Sequence, residues 1–336
     1  DSPGYDLLAL LTGSEGLLAI ITEVTVKLLP NPEAAQVVLA AFDSVDAAGA
    51  AVTATIASGI IPAGLDLLDK PAITAVRRFI QTGYPETASA ILLCELDGAQ
   101  EDVSTQIEHV SQVFRDSGAT ELKVSQDAAE RQLFWAGRKA AFPAMGRLSP
   151  DYYCMDGTIP RKHLARVLNE IETLSQEYGL PVCNVFHAGD GNLHPLLLFD
   201  SRDAEQMKRV KKAGWEIMEA CVALGGTISG EHGIGVEKQA AMHMVFSQED
   251  LDFQQGLKDA FDPKNLLNPG KVIPPTRRDG TAKKGPAVTG GNGQALTPLI
   301  QTVLSAAAQE QALAPAGNGS RQDFGNGLSG TFALLE

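Results

Sequence analysis

Apolar and polar positions alternate along this chain in blocks that predict strands and helices in turn. Residues 17–29, LLAIITEVTVKLL, are rich in β-branched side chains and end at Pro30, which predicts a strand entered through a glycine-flanked turn. From residue 31 to about 275, strand-like and helix-like stretches succeed one another regularly. This succession favours an α+β domain in which helices cover one face of a sheet.

The predicted elements after residue 31 form two rounds. The first has strands at 36–42, 65–69 and 88–96, with helices over about 44–58, 71–82 and 100–117. The second has strands at 151–160, 183–186 and 195–199, with helices over about 127–141, 161–178 and 203–224. Near the end, Asp262 is predicted to cap a short helix with Pro263 at its first position.

Beyond Pro275 the composition shifts to Gly, Ala, Gln, Thr and Lys. Residues 276–293 are predicted to be a flexible linker. A helix over 297–311 and a glycine-rich loop over 314–327 are predicted to follow.

The composition excludes several classes of protein. Of 336 residues, 44% are hydrophobic and 20% charged, which is typical of a globular protein with a core. The net charge of −14, without any Lys/Arg-rich run, argues against nucleic acid as a partner. The sequence has no apolar stretch near the roughly 20 residues that cross a bilayer, so we expect no membrane span, and the pattern that opens the chain leads us to expect no signal peptide.

The cysteines and the first residue bear on location and completeness. The four cysteines are widely spaced without a C-x-x-C pair, which argues against an iron–sulfur cluster or zinc ribbon. Reduced thiols fit a cytoplasmic protein, and peripheral attachment to the inner face of the membrane stays open. Because the chain begins at Asp1 in the middle of an apolar pattern, we expect a piece of a longer protein.

Two histidines bracket a predicted hairpin in the sequence HAGDGNLH. Asp190-Gly191 is a typical two-residue turn between apolar strands. With that turn, His187 would lie opposite His194, with Cβ atoms roughly 5 Å apart. Two such imidazoles can share a divalent metal ion. The alternative is a pair of ordinary strand histidines near a polar turn.

Residues 225–235, GGTISGEHGIG, hold five glycines in eleven positions. This density indicates a backbone that is approached closely or has positive φ angles. Glu231 offers a third metal ligand and His232 an adjacent proton acceptor. The alternative is a glycine loop after a helix, with both side chains solvated.

Arg138 follows Phe134 and Trp135 in a predicted helix. A guanidinium partly shielded by aromatic rings suits carboxylate binding. The alternative is an arginine on a solvated helix face.

Four motifs together resemble the C-terminal region of FAD-linked oxidases of the vanillyl-alcohol-oxidase-like superfamily. They are GSEGLLAIITEVTVKLLP, HAGDGNLHP, SGEHGIG and FDPKNLLNPGK, which span about residues 4–275 in the family's order. Within the superfamily they are most similar to the FAD-linked subunit of glycolate oxidase and to D-lactate and D-2-hydroxyglutarate dehydrogenases.

The resemblance implies a fold and a domain division. The fold is a ferredoxin-like antiparallel sheet forming a cap domain, with helices on one face, preceded by the last strand of a truncated FAD-binding domain. Residues 1–30 would end that FAD-binding domain, and 31–275 would form the substrate domain. Residues 276–336 would be a linker and tail, either a disordered extension or the start of a second FAD-binding domain.

The resemblance also implies site residues. His187, His194 and Glu231 would bind a divalent metal of the Zn, Mn or Fe class. His232 would be the base, Arg138 would bind the substrate carboxylate, and Asn192 would reach the substrate or the metal. The residues along FAD would be Gly13, Ser14, Glu15, Gly16, Ile21, Thr22 and Asn268.

The implied activity is FAD-dependent oxidation of a small D-2-hydroxy acid, of the glycolate or D-lactate class, to the 2-oxo acid. His232 would take the hydroxyl proton while the hydride passes to flavin N5. Partner subunits of a glycolate oxidase-type complex are expected, and the acid and the electron acceptor stay open. Two alternatives remain: a metal-dependent hydrolase using the same His/His/Glu site, and a non-catalytic subunit of a flavoprotein complex.

Overall fold

The computed structural model describes residues 4–275, which fall into two units. The unit that includes the first twelve residues contributes one short helix, α1 (Leu7–Leu11), capped by Asp6. The unit of residues 13–277 contains all the elements described below. The predicted linker at 276–293, helix at 297–311 and loop at 314–327 lie outside the described residues.

The first half of the larger unit runs from β1 to β4. Its elements are β1 (Ala34–Phe42), α2 (Val45–Ala57), β2 (Gly64–Asp69), α3 (Lys70–Phe79), β3 (Ala90–Gly98), α4 (Gln100–Asp116) and β4 (Ala119–Val124).

The second half carries the histidine hairpin. Its elements are α5 (Ala128–Lys139), α6 (Ala141–Met145), β5 (Asp151–Cys154), β6 (Gly157–Thr158), α7 (Leu164–Tyr178), β7 (Val182–Phe186), β8 (Asn192–Leu193), β9 (Pro195–Phe199), α8 (Ala204–Ala223) and α9 (Gln248–Phe261). Short 3-10 turns occupy Arg161–His163 and Gln239–Met244.

Seven strands form one antiparallel sheet in the order β4-β1-β3-β2-β7-β9-β5. The first four strands follow the ferredoxin-like arrangement, and β5-β9-β7 repeats its β1-β3-β2 portion. The two halves join where β2 pairs with β7, at Leu67 opposite Phe186. The predicted antiparallel α+β architecture is confirmed.

Helices cover both faces of the sheet, whereas the sequence pattern predicted helices on one face. Val38, Ala40 and Phe42 of β1 pack into a core with α2, α4, α7 and α8. The alternate residues Val37 and Leu39 pack into a second core with α3, α5 and α6. Because β1 is apolar at successive positions, both of its faces need cover.

The strand predicted over 17–29 is absent from the described residues. Leu17 is buried and Leu18 is partly buried, but the large apolar side chains from residue 20 onward are exposed, namely Ile20, Ile21, Val24, Val26, Leu28 and Leu29. A strand forms by pairing with a neighbour, and no strand of the described residues pairs with this segment. Among all the helices of residues 4–275, none is both long enough and apolar enough to cross a membrane.

Asp262 does not begin a helix as predicted. It follows the last residue of α9, and its carboxylate accepts backbone N–H groups of Leu266 and Leu267 at 3.0 and 2.7 Å. Asn265 and Asn268 have positive φ angles, which stop a helix from continuing. Asp262 therefore organises a turn rather than a helix.

Candidate functional site

The histidine hairpin has a different register from the predicted one. His187 pairs with Asn192, whose N–H donates to the carbonyl of His187 at 3.3 Å, so the connection is four residues long. The predicted pairing of His187 with His194 is wrong, because β8 pairs instead with β6. His194 follows directly after β8, and its ring still lies near that of His187. The two imidazole centroids are 5.5 Å apart.

Glu231 completes a set of possible metal ligands. Its Oε1 lies 3.0 Å from Nε2 of His194 and 3.6 Å from Nε2 of His187. One donor atom from each residue lies within 4.8 Å of the others. His194 is buried, and neither of its ring nitrogens has a hydrogen-bond partner among residues 4–275. A buried polar atom without a partner is costly, and imidazole with carboxylate is a donor set that suits zinc-class ions. These residues fit a divalent metal.

Asp66, on β2, links the metal candidate His187 to Arg138. Its Oδ1 lies 3.0 Å from Nδ1 of His187, and its Oδ2 accepts Nε–H of Arg138 at 2.6 Å. The hydrogen bond to Asp66 raises the pKa of His187, against the opposing effect of burial. A carboxylate on one ring nitrogen orients the other toward a metal. Sequence reasoning missed Asp66; its signal is an aspartate inside the apolar run of β2.

Asp156, between β5 and β6, shapes the glycine loop and was also missed. Its fully buried carboxylate accepts backbone N–H groups of Gly230, Glu231 and His232 at 2.9 to 3.1 Å. Lys238 is buried beside it, with Nζ 3.0 Å from Oδ2. Burial raises the pKa of Asp156, but the nearby ring of His194, with Nε2 3.7 Å from Oδ1, and the charge of Lys238 outweigh it and hold the pKa far below the usual range. The charged carboxylate therefore holds the loop.

His232 and Arg138 share a cavity of about 400 Å³ with the metal candidates. The exposed ring of His232 stacks on His194, with centroids 4.9 Å apart and planes 8° from parallel. Arg138 lies on α5 and is largely buried. The side chains lining the cavity are Asp66, Trp135, Arg138, Lys139, Phe142, His187, His194, Glu231 and His232. The structure thus brings together the cation, ligands and base predicted on separate elements.

Asn192 lies close beneath the glycine loop. Its side chain is buried, and Oδ1 has no hydrogen-bond partner within the described part of the chain. A Cβ atom at Gly230 would lie 2.2 Å from that oxygen. Glycine at position 230 is therefore what allows Asn192 to approach the loop.

The segments expected along FAD meet each other. Asn268 donates from Nδ2 to the carbonyl oxygen of Glu15 at 2.6 Å. Buried Lys258, which sequence reasoning missed, donates to the carbonyls of Leu17 and Leu267 and so ties the same two segments together. The other predicted FAD residues lie on this turn or in the exposed segment after it, namely Gly13, Ser14, Gly16, Ile21 and Thr22. An exposed turn followed by uncovered apolar side chains fits a cofactor or protein surface.

Comparison with known proteins finds one family and several related proteins that match most of this chain. A model of the family "FAD linked oxidases, C-terminal domain" matches residues 31–272. The glycolate oxidase subunit GlcD of Escherichia coli (strain K12) is 57% identical over 278 residues, which are 83% of this chain and 56% of that protein. A probable mitochondrial D-lactate dehydrogenase of Danio rerio is 31% identical over 274 residues, covering 80% of this chain and 54% of that protein.

A solved structure has a similar fold. The 4-ethylphenol oxidase from Gulosibacter chungangensis has a TM-score of 0.58 at 18% identity, covering 75% of this chain and 56% of that one. This likeness concerns the fold alone. The chain spans little more than half the length of both curated relatives.

Proposed function

The chain belongs to the FAD linked oxidases, as their C-terminal domain, and from this premise we propose that the whole protein oxidises a small D-2-hydroxy acid to the 2-oxo acid. The names of its relatives, a glycolate oxidase subunit and a D-lactate dehydrogenase, support acids of that size. The observation that carries the proposal is the cavity around which three metal-ligand candidates, an arginine and an exposed histidine converge.

Arg138 binds the carboxylate of the acid in this proposal. Only its Nε is engaged within the described residues, in the hydrogen bond to Asp66. The two terminal nitrogens of the guanidinium therefore stay available for a bidentate contact with a carboxylate. Asp66 orients Arg138 and also His187, one of the metal-ligand candidates. One buried carboxylate thus positions a group at each end of the acid.

His232 accepts the proton of the 2-hydroxyl group on a ring nitrogen. Its backbone N–H is held by Asp156 at 2.9 Å and its ring is held flat against His194. A base must be positioned before its pKa matters, and these two contacts restrict its ring to the cavity. Because the ring is also exposed, it can release the proton to water.

When bound, FAD would supply the acceptor for the hydride of C2, and a divalent metal would supply a Lewis acid for the hydroxyl oxygen. His187, His194 and Glu231 would hold the metal. The turn Gly13–Gly16, with Ile21, Thr22 and Asn268, would contact FAD. Residues 1–30 would end the FAD-binding domain, with 31–275 as the substrate domain.

Two alternatives predicted from the sequence are less well supported. A metal-dependent hydrolase would use the same ligands, but family membership favours oxidation. A non-catalytic subunit has no need of a converged base, arginine and ligand set. Because one relative is named as a subunit of glycolate oxidase, we further propose that the protein works in a complex with other subunits.

Metal analysis of the full-length protein tests the proposal, together with its turnover of glycolate and D-lactate. We expect about one divalent ion per protein, lost in the double variant His187→Ala/His194→Ala along with turnover. His109→Ala, at an exposed histidine on α4, is the matched control and should retain both. Unchanged metal content in the double variant would refute the ligand assignment, and turnover of neither acid would refute the substrate class.

A further inference from the structure

Glu15 connects three segments that are far apart in the sequence. Its Oε1 accepts the backbone N–H of Ile234 at 2.7 Å, and its Oε2 accepts that of Gly235 at 2.9 Å. Its own carbonyl oxygen accepts the side-chain amide of Asn268. The resemblance to flavoproteins implied a role for Glu15 along FAD. In the structure, both oxygens of its carboxylate accept hydrogen bonds from the loop that carries Glu231.

The glycine loop is therefore held from two sides. Asp156 accepts the N–H groups of residues 230–232, and Glu15 accepts those of residues 234 and 235. Between them lies Gly233, with a φ angle of +86°. A Cβ atom at Gly233 would lie 2.8 Å from Oε1 of Glu15, so the carboxylate lies directly against the backbone. Each carboxylate fixes one half of the loop.

We propose that Glu15 is a positioning residue for the metal site. By fixing the backbone at 234 and 235, it keeps the side chain of Glu231 within reach of His187 and His194. Hydrogen bonds to an ionised acceptor are stronger than those between neutral groups, so loss of the charge loosens the loop. Metal affinity thus depends on a residue of the turn at 13–16, which contributes no ligand itself. This inference rests on the metal site of the proposed function.

Zinc titration of the full-length, flavin-free protein tests this inference. Glu15→Gln keeps one acceptor oxygen but presents an amide NH₂ group to the second backbone donor. Changes in residues that orient metal ligands typically weaken metal affinity by about 10- to 100-fold, and we expect a loss of this size. Glu23→Gln, at an exposed carboxylate of the same segment, should leave the Kd unchanged. Circular dichroism checks that each variant is folded, and Glu15→Asp replaces Glu15→Gln if the latter does not fold.

Two further backgrounds separate positioning of Glu231 from a general loss of structure. In Glu231→Gln, the ligand that Glu15 positions is already impaired, so adding Glu15→Gln should change the zinc Kd little. In His187→Ala, Glu231 still binds, so the effect of Glu15→Gln should persist. An equal effect in both backgrounds, or a wild-type Kd for Glu15→Gln alone, would overturn the inference. Failure of the wild-type protein to bind zinc would instead overturn the metal site of the proposed function, and the inference with it.

Discussion

Replacement of Asp156 by asparagine should destabilise the fold and the glycine loop together. The carboxylate is fully buried and is the counter-charge of Lys238, which is only 3% exposed. Removing one partner of a buried ion pair costs about 3–5 kcal/mol, because the other charge stays buried without compensation. Asparagine also replaces one of the two oxygens that accept the loop's N–H groups. We therefore expect Asp156→Asn to lower the free energy of unfolding by about 3–5 kcal/mol.

Urea denaturation of the metal-free protein measures this loss. Asp43→Asn, at an exposed carboxylate, is the matched control and should stay within about 0.5 kcal/mol of the wild type. The double variant Asp156→Asn/Lys238→Met should lose less stability than the two single variants lose together, because with both charges removed no uncompensated charge stays buried. If Asp156→Asn is as stable as Asp43→Asn, or if the losses of the two single variants add up in the double variant, the role assigned to the Asp156–Lys238 pair is refuted.

Three other changes probe the site. His232→Ala should lower kcat by about 10²- to 10⁴-fold with metal retained, as for loss of a general base; near-normal turnover would mean that another group takes the proton. Asp66→Asn should weaken metal binding by about 10- to 100-fold, measured by zinc titration. It should also raise the KM for the acid, because Arg138 loses its hydrogen-bond partner; an unchanged zinc Kd and KM would contradict the orienting role of Asp66. Gly230→Ala should lower the free energy of unfolding by about 1–3 kcal/mol, measured by urea denaturation. Adding Asn192→Ala should restore part of this loss; if the losses of the two single variants simply add, the two side chains do not clash.

The sequence predicts the architecture where apolar patterns are strong. The continuous apolar run of β1 and the periodic α4 lie within two residues of their predicted bounds. The edge strand β4, ATELKV, was missed because Glu121 and Lys123 interrupt its apolar residues. α9 was missed although Ser247 and Asp250 form a capping box that marks its start.

The side chains that meet in the candidate site are predictable from the sequence, but the contacts that support them are not. The convergence of His187 and His194 was expected, yet through the wrong register, because the competing pairing of β6 with β8 is a tertiary contact. Asp66 and Asp156 are carboxylates within largely apolar stretches. Their partners lie about 70 or more positions further along the chain, a separation that no local pattern reveals.

Anaerobic mixing of the full-length, FAD-loaded protein with glycolate or D-lactate tests the central claim most directly. The absorbance of the oxidised flavin is followed in the metal-loaded protein and again after removal of the metal by a chelator. We predict that one of the acids bleaches the flavin in the metal-loaded protein, and that chelation slows bleaching until a divalent ion is restored. Bleaching at the same rate without metal, or none with either acid, would contradict the account.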